Sequence, residues 1–250
     1  MINLKGKRIV VSGASSGIGK SVSKIGSKLG AKILLIGRDE EKLEAVKKEL
    51  YGGDHISLIC DITKHEELED KLKNKLKEFG VIDGFVHSAG IEMTRPLKIL
   101  KPKNLDDVLQ VNLISGLSIA RILTGRNVFN KNGGSIVFIS SIAGICGQSG
   151  KTGYSASKGA VIAASKSLAI ELASRKIRVN SVAPAMVKTE MSVNMLNSLP
   201  KEAKLNIESM HPLGIGKAED VANTVTFLLS DLTSWITGTS VIVDGGYSAI

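Results

Sequence analysis

The chain has 250 residues, of which 43% are hydrophobic and 23% are charged, and its formal net charge at pH 7 is +9. The apolar fraction allows a large buried core, and the two cysteines, Cys60 and Cys146, are too few for a disulfide framework. The positive charge would suit nucleic acid, but the lysines of helical stretches such as residues 64–77 alternate with glutamates, as on a solvated surface. With no nucleic-acid-binding motif in the sequence, we expect no nucleic-acid partner.

Strand and helix patterns alternate along the whole chain, without a linker or an internal repeat. This pattern predicts a single α/β domain over residues 1–250, a Rossmann-type doubly wound parallel sheet in three layers. No apolar run approaches the roughly 18 residues that a membrane span needs, and no signal peptide precedes the first strand, so we expect a cytoplasmic protein. The four histidines show no ligand-like spacing with cysteine or carboxylates, so we expect no catalytic metal.

Residues 7–12 predict a buried strand, and a G-x-x-x-G-x-G turn follows at once, before an amphipathic helix that runs to about Leu29. Free N–H groups at the start of a helix, with its positive dipole end, suit a pyrophosphate, and glycine lets the backbone approach the phosphates closely. A tight strand-to-helix turn without a ligand is the alternative. The strand–turn–helix context favours a cofactor, and the predicted binding residues are Gly13, Ser15, Ser16, Gly17, Ile18 and Gly19.

The second predicted strand, residues 31–36, ends in Gly37-Arg38-Asp39. An acidic residue at the end of this strand would hold the ribose 2′-hydroxyl of NAD, whereas an arginine suits the 2′-phosphate of NADP. Gly37 occupies the acidic position, and Asp39 is explained as the N-cap of a helix that begins at Glu40. A solvated loop charge is the alternative for Arg38, but its placement favours NADP as the cofactor, with NAD as the less favoured choice.

Further along the chain, Tyr154 and Lys158 are four residues apart, so they share one face of a helix that begins near Gly153. Because an ammonium beside a phenol favours the phenolate, we expect Lys158 to lower the pKa of Tyr154 and make it a proton donor or acceptor near neutral pH. Ser141 ends an apolar run, and its hydroxyl could hold a carbonyl or alcohol oxygen at the same point. These groups suit carbonyl reduction or alcohol oxidation, provided that a hydride carrier binds nearby.

Taken in order, these features resemble the short-chain dehydrogenase/reductase family over essentially the whole chain, including its 3-oxoacyl-[acyl-carrier-protein] reductase-like members. The motifs that carry the resemblance are residues 12–19, Asp61-Ile62, Ser88-Ala89-Gly90, Asn112, Ser141, Tyr154-x-x-x-Lys158, residues 184–189 and residues 243–246.

The resemblance implies four catalytic residues. Tyr154 would be the general acid in reduction and the base in oxidation, and Lys158 would lower its pKa and hold the nicotinamide ribose. Ser141 would orient the substrate oxygen, and Asn112 would support a water that relays protons to Lys158. The remaining cofactor contacts are then Asp61 and Ile62 at the adenine, Ser88, Ala89 and Gly90 along the cofactor backbone, and Pro184, Val187 and Thr189 at the nicotinamide end.

The chain departs from the family pattern at Ser12, where threonine is usual, at His87 and Ser88, where two asparagines are common, and at Ala185, where glycine is common. The change at residues 87 and 88 puts the usual support between neighbouring strands in doubt. Alanine at position 185 matters only if that residue needs a positive φ. The Tyr-to-Lys spacing excludes the related enoyl reductases, whose lysine lies farther from the tyrosine.

In this family the segment at about 186–213 covers the substrate, so we expect a substrate lid there. It holds Met186, Met191, Met195 and Met210, which suits an adaptable apolar pocket, although packing within the lid explains the methionines equally well. The expected substrate is a small-molecule ketone or secondary alcohol, with an acyl thioester on a carrier protein as one candidate. Lys131 and Arg175 are candidates for a basic face that binds such a carrier.

Two helical stretches, residues 105–129 and 153–174, are unusually apolar for surface helices. In related enzymes the equivalent helices pack against their symmetry mates and the C-terminal strand makes a second contact, so the resemblance implies a homotetramer with two-fold symmetry, and a dimer would also satisfy the sequence. The leading functional prediction is an NADP-dependent oxidoreductase. The alternative is a catalytically silent NADP-binding regulatory protein, which the complete set of Asn112, Ser141, Tyr154 and Lys158 disfavours.

Overall fold

Nine strands and nine α-helices lie within residues 1–249, the part of the chain that the computed structural model describes, with all side chains except those of Met191, Asn194, Met195 and Ser198. The strands are β1 (Arg8–Ser12), β2 (Lys32–Gly37), β3 (Ile56–Ile59), β4 (Gly84–His87), β5 (Gly134–Ile139), β6 (Ile177–Pro184), β7 (Val187–Lys188), β8 (Gly216–Lys217) and β9 (Ser240–Val243). The helices are α1 (Gly17–Lys28), α2 (Glu40–Lys48), α3 (His65–Phe79), α4 (Pro102–Leu109), α5 (Ser115–Leu123), α6 (Thr152–Leu172), α7 (Glu190–Ser198), α8 (Lys201–Ser209) and α9 (Ala218–Leu229).

Seven of the strands form one parallel sheet in the order β3-β2-β1-β4-β5-β6-β9. The order reverses between β1 and β4, and this reversal leaves a crevice at the carboxyl ends of the strands. The short strands β7 and β8 pair separately, beyond the end of β6. The predicted doubly wound parallel sheet is therefore confirmed.

Two hydrophobic cores cover the two faces of the sheet. Successive side chains of a strand point to opposite faces, so Val10 enters one core while Ile9 and Val11 enter the other. Helices α3, α5 and α6 cover the first core, and α1, α2 and α9 cover the second. Because both faces are buried, the strands are continuous apolar runs, and the three predicted layers are present.

The predicted helix over residues 105–129 differs from the observed one. The structure begins it at Pro102, interrupts it with a π-helical turn at Gln110–Ile114, and ends it at Leu123. The N–H of Gly125 turns back to the carbonyl of Ile122, and Phe129 pairs instead with Ile82 in an isolated bridge beside the sheet. The break in the helix matters for function, because Asn112 lies in the π-helical turn.

The predicted lid segment contains β7, α7 and α8. Met191 and Met195, on which part of the predicted methionine pocket depends, have side chains outside those that the structure describes. Across residues 1–249, no helix combines the length and the apolar character that crossing a membrane requires.

Candidate active site

A cleft of about 1330 Å³ lies over the carboxyl ends of the central strands, where the order of the sheet reverses. It brings the glycine-rich turn after β1 and the Tyr154–Lys158 pair of α6 into one cavity. All the predicted site residues line it except Gly19 and Asn112, which lie behind its wall. The cleft residues predicted from the sequence are Gly13, Ser15, Ser16, Gly17, Ile18, Arg38, Asp61, Ile62, Ser88, Ala89, Gly90, Ser141, Tyr154, Lys158, Pro184, Val187 and Thr189.

The glycine-rich turn has room for glycine alone at two positions. Gly13 has a φ of +69°, and a Cβ on it would lie 2.5 Å from the backbone nitrogen of Ala89. A Cβ on Gly19 would lie 2.2 Å from the carbonyl oxygen of Gly13, so α1 starts in direct contact with the turn. The first turn of α1 carries no acidic residue, and its N-cap Ser16 makes no side-chain hydrogen bond to the helix. The free N–H groups at this helix end fit the pyrophosphate of a dinucleotide.

Arg38 and Asp61 line the same end of the cleft, beyond the ends of β2 and β3. The Arg38 side chain is exposed and forms no ion pair within the part of the chain that the structure describes. Asp39 caps α2 by accepting a 3.0 Å hydrogen bond from the Lys42 N–H, so its predicted capping role is confirmed. The carboxylate of Asp61 accepts hydrogen bonds from the backbone and the hydroxyl of Thr63, which lower its pKa.

Ser141, Tyr154 and Lys158 meet at the other end of the cleft. Ser141 begins a 3₁₀ turn and its Oγ accepts a 3.2 Å hydrogen bond from the Ala143 N–H, which leaves its hydroxyl proton to donate. Tyr154 lies in the first turn of α6, and Lys158 lies in the next turn on the same face. The Lys158 Nζ donates a 2.9 Å hydrogen bond to the carbonyl oxygen of Ile139, at the end of β5.

The pKa of Tyr154 is raised in this structure, whereas the sequence predicted a lowered value. Burial raises the pKa of Tyr154 to about 12, the hydrogen bond with Ser141 opposes this shift, and the Glu92 carboxylate adds to it. Burial also lowers the pKa of Lys158 to about 8. Both groups are withdrawn from water, and removal from water disfavours the charged form of each. The structure therefore keeps Tyr154 as a neutral phenol at neutral pH.

Asn112 lies in the π-helical turn and does not reach the cleft itself. Its Oδ1 accepts a 2.8 Å hydrogen bond from the Ile91 N–H, and its Nδ2 donates to the Ile91 carbonyl at 3.1 Å and to Ser157 Oγ at 3.0 Å. Asn112 thus ties the loop after β4 to α6. Gly90 separates it from Lys158, because a Cβ on Gly90 would lie 3.2 Å from Asn112 Oδ1 and 3.4 Å from Lys158 Nζ.

The departures from the family pattern are accommodated. His87 Nδ1 and Ser12 Oγ are 2.8 Å apart, so β4 and β1 are joined by side chains at this point despite the missing asparagine. Ala185 is not among the residues with a positive φ, so alanine is unstrained there.

Several residues that line the cleft were not predicted from the sequence. Lys151 and Glu92 form an ion pair at the substrate end, and the Lys151 Nζ lies 5.7 Å from the centroid of the Tyr154 ring. Lys151 lies between Ser141 and Tyr154 in the sequence, so its position was a usable signal. No signal in the sequence pointed to Glu92, because only the folded loop after β4 brings its side chain close to Tyr154.

The far wall of the cleft combines three segments that are distant in the chain. The rings of His211 and Tyr247 are in tilted contact, with centroids 5.1 Å apart, and the Tyr247 hydroxyl accepts a 3.2 Å hydrogen bond from Gln148. Met186 and Met210 of the predicted lid line the same wall. The pocket wall is therefore partly polar, rather than a purely apolar methionine surface.

Comparisons with known proteins agree on one family. The family model described as Enoyl-(Acyl carrier protein) reductase matches residues 13–248. The chain is 36% identical over 248 residues to the 3-oxoacyl-[acyl-carrier-protein] reductase FabG of Thermotoga maritima, an alignment that covers 98% of this chain and 99% of the relative. It is 38% identical over 241 residues to carbonyl reductase family member 4 of Xenopus tropicalis, covering 96% of this chain and 97% of the relative.

Solved structures show the same likeness. A dehydrogenase/reductase from Sinorhizobium meliloti 1021 superposes with a TM-score of 0.90 at 30% identity, covering 98% of this chain and 96% of that one. A short-chain type dehydrogenase/reductase from Mycobacterium ulcerans superposes with a TM-score of 0.91 at 30% identity, covering 99% of this chain and 91% of that one.

Proposed function

The chain belongs to the short-chain dehydrogenase/reductase family of oxidoreductases, and we propose that it interconverts a ketone and a secondary alcohol, with NADP as its cofactor and Tyr154 as its general acid and base. One observation carries the proposal. A single cleft holds the close-packed glycine turn at one end and the Ser141, Tyr154 and Lys158 side chains at the other.

The residues of the cleft fit a nicotinamide dinucleotide. The turn from Gly13 to Gly19 would hold the pyrophosphate, because the N–H groups in the first turn of α1 have no intrahelical acceptors and glycine leaves no Cβ to obstruct the approach. Arg38, exposed at the cleft and without an ion-pair partner among the described side chains, would bind the 2′-phosphate that distinguishes NADP from NAD. When bound, the nicotinamide ring supplies the hydride to the substrate carbon, or accepts it in the reverse direction. The other proposed contacts are Asp61 and Ile62 at the adenine, Ser88, Ala89 and Gly90 along the middle, and Pro184, Val187 and Thr189 at the nicotinamide end.

The proton chemistry belongs to the protein. In reduction, Ser141 donates a hydrogen bond to the substrate carbonyl oxygen and Tyr154 transfers its phenolic proton to that oxygen. The O–H bond of Tyr154 breaks as the new O–H bond of the alcohol forms, and the ammonium of Lys158 stabilises the phenolate that remains. A pKa of about 12 keeps Tyr154 protonated at neutral pH, which is the state that reduction requires. Asn112 holds the Ile91 backbone beside this group, where a water that returns a proton through Lys158 would bind.

Within this class, reduction of a 3-oxoacyl thioester on acyl carrier protein is the substrate that we favour. Relatives named as 3-oxoacyl-[acyl-carrier-protein] reductases match almost the full chain. The exposed side chains of Arg126, Lys131 and Arg175 surround one shallow pocket, which supports a basic face for an acidic carrier protein. The family model carries the name of an enoyl reductase, but the lysine four residues after Tyr154 favours reduction of a carbonyl group over a carbon–carbon double bond.

We also propose that the chain assembles as a homotetramer with two-fold symmetry. Ile170 on α6, one of the predicted contact helices, is 80% exposed, and Trp235, shortly before the C-terminal strand β9, is 98% exposed. Burial of such residues against a second copy would stabilise an assembly.

The test follows nicotinamide absorbance with NADPH and NADH across 3-oxoacyl thioesters, diketones, cyclic ketones and keto-sugars. We expect wild type to consume NADPH with one substrate class, and Tyr154→Phe to lose this turnover while it still binds NADPH. Tight NADPH binding by wild type with no turnover in any class would instead favour the catalytically silent regulatory protein.

A further inference from the structure

His87 occupies the carboxyl end of β4 with none of its side chain exposed, one strand away from the glycine turn. Both nitrogens of its ring have a hydrogen-bond partner. Nδ1 lies 2.8 Å from Ser12 Oγ on β1, and Nε2 lies 3.2 Å from the carbonyl oxygen of Val111 in the π-helical turn. One side chain therefore connects the strand that precedes the cofactor turn with the turn that carries Asn112.

The two contacts determine the tautomer of His87. The Val111 carbonyl can only accept a hydrogen bond, so the proton of the neutral ring must be on Nε2. Nδ1 is then the acceptor, and the Ser12 hydroxyl is its donor. Burial, and in second place the charge of Lys158, lower the pKa of His87 to about 3, so the ring is neutral throughout the working range and adds no positive charge beside Lys158.

The π-helical turn explains why the Val111 carbonyl needs a side-chain donor. The Ser115 N–H would bond to the Val111 carbonyl in an α-helix, but here it bonds to the Gln110 carbonyl, five residues back. The Val111 oxygen accepts hydrogen bonds from the side chains of Ser115, at 2.8 Å, and His87. Since a buried carbonyl without a donor is costly, these two side chains favour the π-helical form of the turn.

The space for the imidazole ring depends on Gly116, in the first turn of α5. A Cβ on Gly116 would lie 2.6 Å from the Cδ2 of His87 and 2.9 Å from its Nε2. Phe85 and Phe138 enclose the ring on other sides, with ring centroids 6.2 and 6.0 Å from it. Ser12, His87 and Gly116 thus form one matched set, in which the first supplies the donor and the last supplies the room.

We propose that His87 is a positioning residue that acts through the Val111 carbonyl: it holds the π-helical turn, and with it Asn112, in the geometry that the Tyr154–Lys158 site requires. The path has three steps. First, His87 donates a hydrogen bond to the Val111 carbonyl. Second, the next residue, Asn112, forms hydrogen bonds with both backbone groups of Ile91 and with the Ser157 hydroxyl. Third, Ser157 immediately precedes Lys158 in α6. This inference rests on the proposed function, because it assigns a consequence for turnover.

Two substitutions separate the contacts of His87. The amide of asparagine ends where Nδ1 is, so His87→Asn retains the reach to Ser12 but not to Val111. The amide of glutamine ends where Nε2 is, so His87→Gln retains the reach to Val111 but not to Ser12. Positioning through Val111 predicts that His87→Asn lowers kcat by on the order of tenfold to 100-fold, as expected when catalytic groups are misplaced by up to an ångström. His87→Gln should then remain close to wild type, and the Kd for NADPH should be unchanged in both variants.

Three outcomes would overturn the proposal. Equal losses in both variants, together with a lower unfolding midpoint, would make His87 a purely structural core residue. Loss in His87→Gln alone would make the contact with Ser12 the important one. Near-wild-type kcat in both would leave His87 without any role in turnover.

A readout that needs no substrate keeps this test separate from the proposed function. The Ile91 N–H donates a hydrogen bond to Asn112 Oδ1. Its rate of hydrogen exchange, measured by mass spectrometry, therefore reports whether this hydrogen bond is intact. We expect faster exchange at residues 91 and 110–116 in His87→Asn and wild-type exchange in His87→Gln. Unchanged exchange in His87→Asn would overturn the inference even if wild type proved inactive on every substrate. Gly116→Ala tests the matched set, because its Cβ would collide with the His87 ring. It should lower kcat in the wild-type background, and it should cause little further loss of kcat in the His87→Asn background, where the ring is absent.

Discussion

The Lys158 ammonium nitrogen lies 5.8 Å from the centroid of the Tyr154 ring and directs its 2.9 Å hydrogen bond to the carbonyl of Ile139 rather than to the phenol. Both side chains are therefore close enough to influence each other, yet burial dominates the pKa of each. The resting site consists of a neutral phenol and a buried cation whose pKa is only slightly above neutral pH. Several measurable consequences follow from this arrangement.

Lys158→Met should stabilise the folded protein at neutral pH while it abolishes turnover. The folded-state pKa of Lys158, about 8, is below the unfolded value of 10.5, so between these values the unfolded chain binds the extra proton. The unfolding free energy of wild type should consequently rise with pH above 8, by up to about 1.4 kcal/mol per pH unit. The Met variant should lack this rise. Denaturant unfolding between pH 7 and 9 measures it, because this range lies below the ordinary pKa of 10.0 at which Tyr154 titrates in the unfolded chain.

The matched control for that experiment is Lys166→Met, an exposed position on the same helix, which should keep the wild-type pH dependence. An identical pH slope in wild type and Lys158→Met would contradict the buried-cation interpretation.

Glu92→Gln should move the pH dependence of catalysis to lower pH. The Glu92 carboxylate raises the pKa of Tyr154, and its removal also leaves the Lys151 ammonium beside the ring without its ion-pair partner. Both changes favour the phenolate. Alcohol oxidation, which needs the phenolate as base, should therefore begin at lower pH, and ketone reduction should be lost at lower pH. Profiles of kcat/KM against pH in both directions measure the shift.

Glu171→Gln, a distant exposed carboxylate of α6, serves as its control and should leave both profiles unchanged. A shift towards higher pH in Glu92→Gln would show that the ion pair acts on Tyr154 in the opposite sense.

Arg38→Asp should reverse the cofactor preference. The aspartate repels the 2′-phosphate of NADPH and can accept a hydrogen bond from the 2′-hydroxyl of NADH. We expect the Kd for NADPH to rise by at least an order of magnitude, which corresponds to about 1.4 kcal/mol, while the Kd for NADH changes far less. Titration of each reduced cofactor by fluorescence measures both values. Lys48→Asp, an exposed cation farther along α2, should affect the two cofactors equally; the same result for Arg38→Asp would remove Arg38 from the phosphate site.

Charge reversal at Lys131 and Arg175 should affect carrier-bound substrates alone. Both side chains are exposed, and Arg175 donates a hydrogen bond to the Thr124 carbonyl at the edge of the basic face. Because the attraction to an acidic carrier acts over a distance, the double variant should raise KM for 3-oxoacyl-acyl-carrier-protein, most strongly at low salt. Activity towards the same acyl group on a small thiol should be retained. Equal effects on both substrates would place these residues outside a carrier-binding surface.

Much of the site could be predicted because its parts have local signatures. The glycine turn needs backbone conformations and contacts that a Cβ forbids, as at Gly13 and Gly19, so glycine spacing alone reveals it. Tyr154 and Lys158 share a face because four residues make about one helical turn. The alternation of apolar runs and amphipathic stretches likewise predicted the doubly wound sheet.

The other features of the site could not be predicted, because they depend on contacts between distant parts of the chain. Ser12 and His87 are 75 residues apart, and only the parallel pairing of β1 and β4 makes them partners. The ion pair of Glu92 with Lys151 and the π-helical turn at Asn112 likewise depend on packing between segments that no local pattern connects.

The sequence by itself determined the family, the fold and many of the groups that line the cleft, because these depend on residue type and short-range spacing. The tertiary structure alone decided the protonation of those groups and the geometry that holds them. The pKa of Tyr154 illustrates the difference: helical spacing placed a cation beside the phenol, but burial, which the spacing does not contain, determined the direction of the shift.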